Sequence, residues 1–293
     1  MLGIFDSGLG GLSVLRGVRT RLPAEDLVYL ADQAHVPYGD RSVEELRRYL
    51  ARNVAYLDAC GVDAIVMGCN TSCAIAAREG WPVARVPILD LIEAAAAAVV
   101  VSGARRVGVL ATTATARSGA YAKAIRRLDP GISVEEVAAP ALVPLVEAGR
   151  LTGAVARAAV ENACAPFRAP LEALVLACTH FPFLDSHFAA VLGSQTLRID
   201  PSAAQAERAV AFATLRGARE AEMGRTRYVT TGALEPFRAA LPAFAGALGP
   251  RDSVERLDPE DVERLDPEDS VEEHDAGGAQ DRAAHDLQRG VRL

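Results

Sequence analysis

The chain has 293 residues, half of them hydrophobic, which suits two α/β units or two halves sharing a cleft. Its net charge of −7 is concentrated at one end: residues 251–293 carry 14 acidic and 6 basic side chains, whereas residues 1–250 carry 24 acidic and 25 basic ones and form no basic stripe for nucleic acid. The densest apolar run, 94–101, is far too short for a membrane span, the opening residues lack the basic flank of a secretory leader, and five cysteines are an odd number for a disulfide framework, so a reducing cytoplasm is the expected setting.

Residues 2–5 read as a buried strand and lead into Asp6-Ser7-Gly8-Leu9-Gly10-Gly11. Ser13 stands where a dinucleotide fingerprint needs its third glycine, no Gly-Lys-Ser/Thr is present, and Phe5 stands where a nucleophile elbow needs glycine. The remaining reading is a tight turn exposing Asp6, Ser7 and backbone N–H groups near a helix start. It is either a cradle for a small anion or a plain turn capped by Ser7 or Asp6. A second strand is expected at 27–30. Pro37-Tyr38-Gly39-Asp40 is a turn in which Tyr38 offers a hydroxyl and Gly39 a close backbone approach; a purely structural turn is the plainer reading. Ser42 and Glu45 form a capping box, and Leu46, Tyr49, Leu50, Val54 and Leu57 continue at helical spacing.

A strand at 64–67 ends at Cys69-Asn70-Thr71. A cysteine between a strand end and a helix start sits where the helix dipole favours thiolate, although a small buried hydrophobe is the usual fate of a cysteine. Cys73 comes four residues later, which is not redox spacing, and no second matching pair exists, so neither metal nor dithiol chemistry is expected. Strands at 107–110 and 174–177 come next, the latter ending at Cys178-Thr179-His180, where an imidazole two residues from a thiol can activate it. A cysteine protease would need one such pair and would leave Cys69 unexplained. Cys60 and Cys164 read as helical core, Glu147 is not distinguished by periodicity, and Lys123 is the only lysine.

A faint internal repeat ties these pieces together. Val62-Asp63-Ala64-Ile65-Val66-Met67-Gly68-Cys69-Asn70-Thr71 resembles Leu171-Glu172-Ala173-Leu174-Val175-Leu176-Ala177-Cys178-Thr179-His180 at an offset of 109, and Leu2-Gly3-Ile4-Phe5-Asp6-Ser7 resembles Val107-Gly108-Val109-Leu110-Ala111-Thr112 at an offset of 105. Strands alternating with helices indicate an α/β fold. The expected architecture is two similar parallel-sheet domains facing each other across a central cleft, each placing one cysteine just past a strand's C-terminal end, where open parallel sheets bind ligands.

These blocks resemble the glutamate racemase family of the aspartate/glutamate racemase superfamily. So do Val36-Pro37-Tyr38-Gly39, Arg117-Ser118-Gly119-Ala120-Tyr121, Val143-Pro144-Leu145-Val146-Glu147, Cys178-Thr179-His180-Phe181-Pro182 and Ile199-Asp200-Pro201, and the likeness runs from Leu2 to about Gly249. The resemblance implies a cofactor-independent, metal-free racemase that interconverts L- and D-glutamate and supplies D-glutamate for peptidoglycan. It implies that Cys69 and Cys178 are the catalytic acid/bases, with Asp6 assisting Cys69, and Glu147 and His180 assisting Cys178. Asp6, Ser7, Tyr38, Gly39, Asn70, Thr71, Thr179 and His180 become the substrate-holding set. A small amino acid is the implied partner, with neither nucleic acid nor membrane, and a homodimer is left open. The implied division is 1–91 plus 208–249, then 92–207, then an acidic tail over 250–293.

The chain departs from the family in three places: Ala139 stands for a frequent Cys, Gln33 for a common Thr, and Ala233-Leu234-Glu235 interrupts a common Thr-Gly-Asp-Pro. The tail repeats Val254-Glu255-Arg256-Leu257-Asp258-Pro259-Glu260-Asp261 identically at Val262–Asp269 and is expected to be disordered, with no catalytic residue. The alternatives to be separated are a superfamily enzyme acting on aspartate, a hydantoin or maleate, and a carboxylate-binding protein without turnover.

Overall fold

Apolar runs that alternate with helices bury both of their faces, and here they form the centres of two wholly parallel sheets. The computed structural model describes residues 1–217 and 223–258. The strands are β1 (Leu2–Asp6), β2 (Leu27–Ala31), β3 (Ala64–Met67), β4 (Ile88–Leu89), β5 (Arg106–Ala111), β6 (Ser133–Ala138), β7 (Ala173–Ala177), β8 (Leu197–Ile199), β9 (Thr226–Thr230) and β10 (Ser253–Arg256). One sheet has the order β10-β9-β2-β1-β3-β4, the other β6-β5-β7-β8. The five strands expected from apolar runs are therefore β1, β2, β3, β5 and β7, which include both central pairs.

The internal repeat is a repeat of topology. The order β2-β1-β3-β4 in the first sheet matches β6-β5-β7-β8 in the second. Leu2 pairs with Ala64 in one and Val107 with Ala173 in the other, so the aligned strands are also the equivalent strands. Both cysteines of the repeat thus come directly after the third strand of their sheet.

The helices are α1 (Leu12–Arg21), α2 (Val43–Ala59), α3 (Asn70–Glu79), α4 (Leu91–Ser102), α5 (Thr113–Ser118), α6 (Ala120–Leu128), α7 (Leu142–Glu147), α8 (Gly153–Cys164), α9 (Asp185–Leu192), α10 (Pro201–Arg216) and α11 (Leu234–Ala245). Helix α2 begins where its capping box predicts: the Ser42 side chain accepts from Glu45 N, and the Glu45 carboxylate accepts from Ser42 N. One continuous core joins the units, running from Phe5 and Met67 through Leu91, Ala95 and Val99 of α4 to Val107 and Val175. A second core lies under α1, α10 and α11, and a third under α7, α8 and α9. The chain crosses between sheets at Asp90 and again at Asp200, and each aspartate caps the next helix, accepting from Ile92 N at 2.7 Å and from Ser202 N at 2.8 Å. No helix among the described residues is long and apolar enough to cross a membrane.

Two expected boundaries move. A break at 207/208 falls inside α10, a continuous helix that packs on both α1 and α4. The tail expected from residue 250 gives up residues 253–256 to β10, an edge strand paired with β9. Averaged acidity hid it. Val254 packs on the first unit's core, Glu255 pairs with Arg227 at 2.9 Å, and Leu257 N donates to Thr230 O at 2.8 Å. The second octapeptide copy lies outside the described residues. Relative to a chain ending at Asp258, truncation after Asp252 strips β10 and is expected to cost on the order of 2 kcal/mol, which thermal denaturation of the two proteins would register as a drop of several degrees in the shorter one.

Candidate active site

The C-terminal ends of β1, β3, β5 and β7 face one cavity of about 620 Å³, counting its open mouth. Cys69 and Cys178 both line it, one from each unit, and both are buried. Ser7, Tyr38, Gly39, Asn70, Thr71, Thr179 and His180 line it too, so every residue expected to hold the ligand is on its wall except Asp6. The seam closes tightly around it. A Cβ on Gly10 would stand 2.1 Å from Thr179 Oγ1, and one on Gly39 would stand 3.2 Å from Thr112 Cβ. Thr71 and Thr112 hydrogen-bond across the seam at 3.2 Å.

Asp6 is not exposed in its turn as expected; it is fully buried. Its Oδ2 accepts from Gly8 N at 3.1 Å and Gly11 N at 2.9 Å, which shapes the glycine loop, while Oδ1 has no partner among the described residues. Neither Ser7 nor Asp6 acts as side-chain N-cap of α1, which starts from Gly11. Burial raises the Asp6 carboxyl above its ordinary range against the pull of the Gly11 N–H and of the His180 charge.

The two thiols have different surroundings. Cys69 is the N-cap residue of α3, and its Sγ lies 3.6 Å from Ser7 Oγ. The expectation that a helix start favours thiolate here is overturned: burial, reinforced by the Asp6 charge, pushes this thiol up to about 11. Cys178 Sγ lies 3.7 Å from His180 Nδ1, and His180 Nε2 lies 2.5 Å from Glu147 Oε1. Burial alone would pull the His180 imidazolium down. The hydrogen bonds to Cys178 and Glu147, with their charges, outweigh it and push the group from 6.5 to about 10. Glu147 in turn is lowered, chiefly by its hydrogen bond to His180. Glu147 stands behind His180, off the cavity wall.

Several site groups were not singled out from the sequence. Asp32, fully buried, accepts from Tyr38 Oη, from Thr231 Oγ1 at 2.7 Å and from Asn53 Nδ2 at 3.2 Å, and its Oδ1 lies 2.8 Å from His35 Nδ1. Burial would raise its carboxyl, but the His35 and Tyr38 hydrogen bonds hold it below its ordinary range. This network fixes the Tyr38 ring at the cavity wall. One signal was available: Asn53 interrupts the apolar face of α2 and is wholly buried there. Thr112, Thr113, Pro140, Val143 and Pro144 complete the lining from the second unit. No lysine or arginine lines this cavity among the described residues, so apart from the His180 imidazolium an anion inside it meets neutral donors. Asn70 Nδ2 is one such buried donor without a partner among the described residues, while its Oδ1 accepts from Tyr121 Oη.

Residues 9–209 match the Asp/Glu/Hydantoin racemase family. A glutamate racemase of Desulforudis audaxviator is 41% identical over 256 residues, covering 84% of this chain and 93% of that protein. The crystal structure of glutamate racemase from Francisella tularensis in complex with D-glutamate superposes with a TM-score of 0.80 at 29% identity, covering 87% of this chain and 96% of that one. Glutamate racemase from Thermus thermophilus, in complex with beta-chloro-D-alanine, gives a TM-score of 0.75 at 35% identity over 88% and 97% of the two chains.

The charge balance at His180 makes a direct prediction. Because its folded value lies above the ordinary one, the stability it contributes is complete below 6.5 and is lost as pH rises through about 10. Glu147→Gln removes the carboxylate hydrogen-bonded to Nε2, so the imidazole should titrate at lower pH and alkaline unfolding should begin earlier. Nitrogen NMR of the histidine ring reads the first effect; an unchanged titration would show that Glu147 does not sustain the charge.

Proposed function

The chain belongs to the glutamate racemase family, within the Asp/Glu/Hydantoin racemases, and on that premise we propose that it interconverts L- and D-glutamate without a cofactor, using Cys69 and Cys178 as paired acid and base. The observation that carries this reading is the arrival of two buried thiols at one cavity from topologically equivalent strand ends of opposite units. Inverting an α-carbon requires a base on one face and an acid on the other, and a lone thiol–imidazole pair supplies only one of them.

The unequal surroundings assign starting roles. His180 is cationic through the neutral range, and an imidazolium 3.7 Å from Sγ is the partner a thiolate needs. Cys178, beside this cation, is assigned the part of base in one direction. Cys69, raised to about 11, is the resting acid. When Cys178 takes the α-proton, Cys69 delivers its own to the opposite face. The thiolate then formed at Cys69 keeps the Ser7 hydroxyl as its hydrogen-bond partner. The reverse direction exchanges the roles.

The glycine loop and the Asn70, Thr71, Thr112 and Thr179 side chains offer neutral hydrogen bonds to carboxylate oxygens. Those bonds strengthen as charge moves from the α-carbon onto the carboxylate. Asp6 acts as a positioning residue for the loop and as an anion beside Cys69. The D-glutamate formed would enter peptidoglycan synthesis.

Circular dichroism of either enantiomer without added cofactor tests this directly. The signal should decay from both sides to one racemic endpoint. Cys69→Ser and Cys178→Ser should each lower the rate by about a thousandfold or more, since a general acid or base is worth ~10²–10⁴. In deuterium oxide each variant should still label one enantiomer, and the two variants should label opposite ones. Undiminished racemisation in either variant would overturn the paired-thiol assignment, and no decay in the wild-type protein would overturn glutamate as the substrate.

A further inference from the structure

A second cavity, about 1010 Å³ counting its open mouth, adjoins the first and shares Gly39, Asp40 and Thr113 with it. It also lies in the seam between units. The start of α2 and the C-terminal half of α3 form one wall, and α5 forms the other. Its chemistry is the opposite of the first cavity's. Three guanidiniums line it, Arg41 and Arg78 from the first unit and Arg117 from the second, and Asp40, at the shared end, is the only carboxylate on the lining among the described residues.

These guanidiniums are weakly committed. Arg117 has neither an ion pair nor a hydrogen bond among the described residues, and its side chain is exposed. Among the described residues Arg78 meets only its neighbour Glu79, at 3.0 Å, with 62% of the arginine side chain exposed, a pairing worth little in water. Arg41 Nε donates to His35 O at 3.1 Å, and its Nη1 reaches Glu45 only at 3.7 Å, where the carboxylate is already engaged in the capping box. Like charges from two units therefore line one cavity, offset only in part by Asp40 on its lining and by Glu45 and Glu79 beside it.

We propose that this cavity binds a small phosphate-type dianion that bridges Arg41 and Arg78 of the first unit to Arg117 of the second. Guanidinium forks match phosphate oxygens, and a surplus of fixed positive charge selects a dianion over a single carboxylate. A carboxylate is instead suited to the neutral donors of the first cavity. An occupant would relieve the repulsion across the seam and tie together the two units whose spacing sets the distance between the thiols.

Calorimetric titration of the full chain with inorganic phosphate, in the presence and absence of saturating D-glutamate, tests the site. The expected result is one phosphate per chain, bound whether or not glutamate is present and more weakly as salt rises. Affinity should fall about tenfold or more in both Arg78→Gln and Arg117→Gln, the effect of losing one charge-assisted hydrogen bond of ~1.5–3 kcal/mol. Should one variant fail to fold, the other still decides. No binding by the wild-type chain, displacement by glutamate, or equal affinity in a folded variant would each overturn the proposal. The arginine variants locate the site even if glutamate is not the substrate.

Discussion

Everything at this site depends on how closely two parallel sheets can bring their carboxyl ends together. The approach is set by missing side-chain atoms: Gly10 against Thr179 and Gly39 against Thr112 leave no room for a Cβ without displacement. At both points a backbone of the first unit lies directly on a threonine of the second, and the Thr71–Thr112 hydrogen bond crosses the same seam. Behind the seam, one apolar core runs through both units, so the approach is backed by packed side chains. The two chain crossings are fixed alike, by aspartates that cap α4 and α10. These contacts produce a small cavity walled by both sheets.

Within that cavity a duplicated backbone carries unequal electrostatics. The third strand of each sheet delivers a thiol to the same relative place, but the chain beyond each thiol differs. After β3 a full helix begins at Asn70, and the ionisable group that acts most strongly on Cys69 is the buried Asp6. After β7 the chain makes a short turn that places His180 beside the thiol and Glu147 behind His180. A negative neighbour therefore stands beside one thiol and a positive one beside the other.

The sequence revealed most where burial is deepest. Central strands buried on both faces appear as unbroken apolar runs, and the two cysteines stood out because the repeat aligned them. Edge strands were missed because their sequences answer to solvent: Ser133–Ala138 carries two glutamates, and Ser253–Arg256 looks like part of an acidic tail. Asp32 was missed for another reason. Its partners His35, Tyr38, Asn53 and Thr231 come from separate parts of the chain, and no spacing rule links them. The helix-dipole argument at Cys69 failed in magnitude, since burial and a neighbouring carboxylate outweigh the helix start.

The unpartnered polar atoms extend this argument to recognition. Asp6 Oδ1 and Asn70 Nδ2 are buried with no partner among the described residues, one an acceptor and one a donor. A buried group left without a hydrogen bond costs ~1–3 kcal/mol; Asn70 lines the cavity, so its amide donor is placed to meet a carboxylate there, whereas Asp6 lies behind the wall. No lysine or arginine is on the cavity wall among the described residues, and the guanidiniums at the seam lie in the neighbouring cavity. One seam thus holds two adjoining cavities of opposite character, a thiol-bearing one with neutral donors and an arginine-lined one.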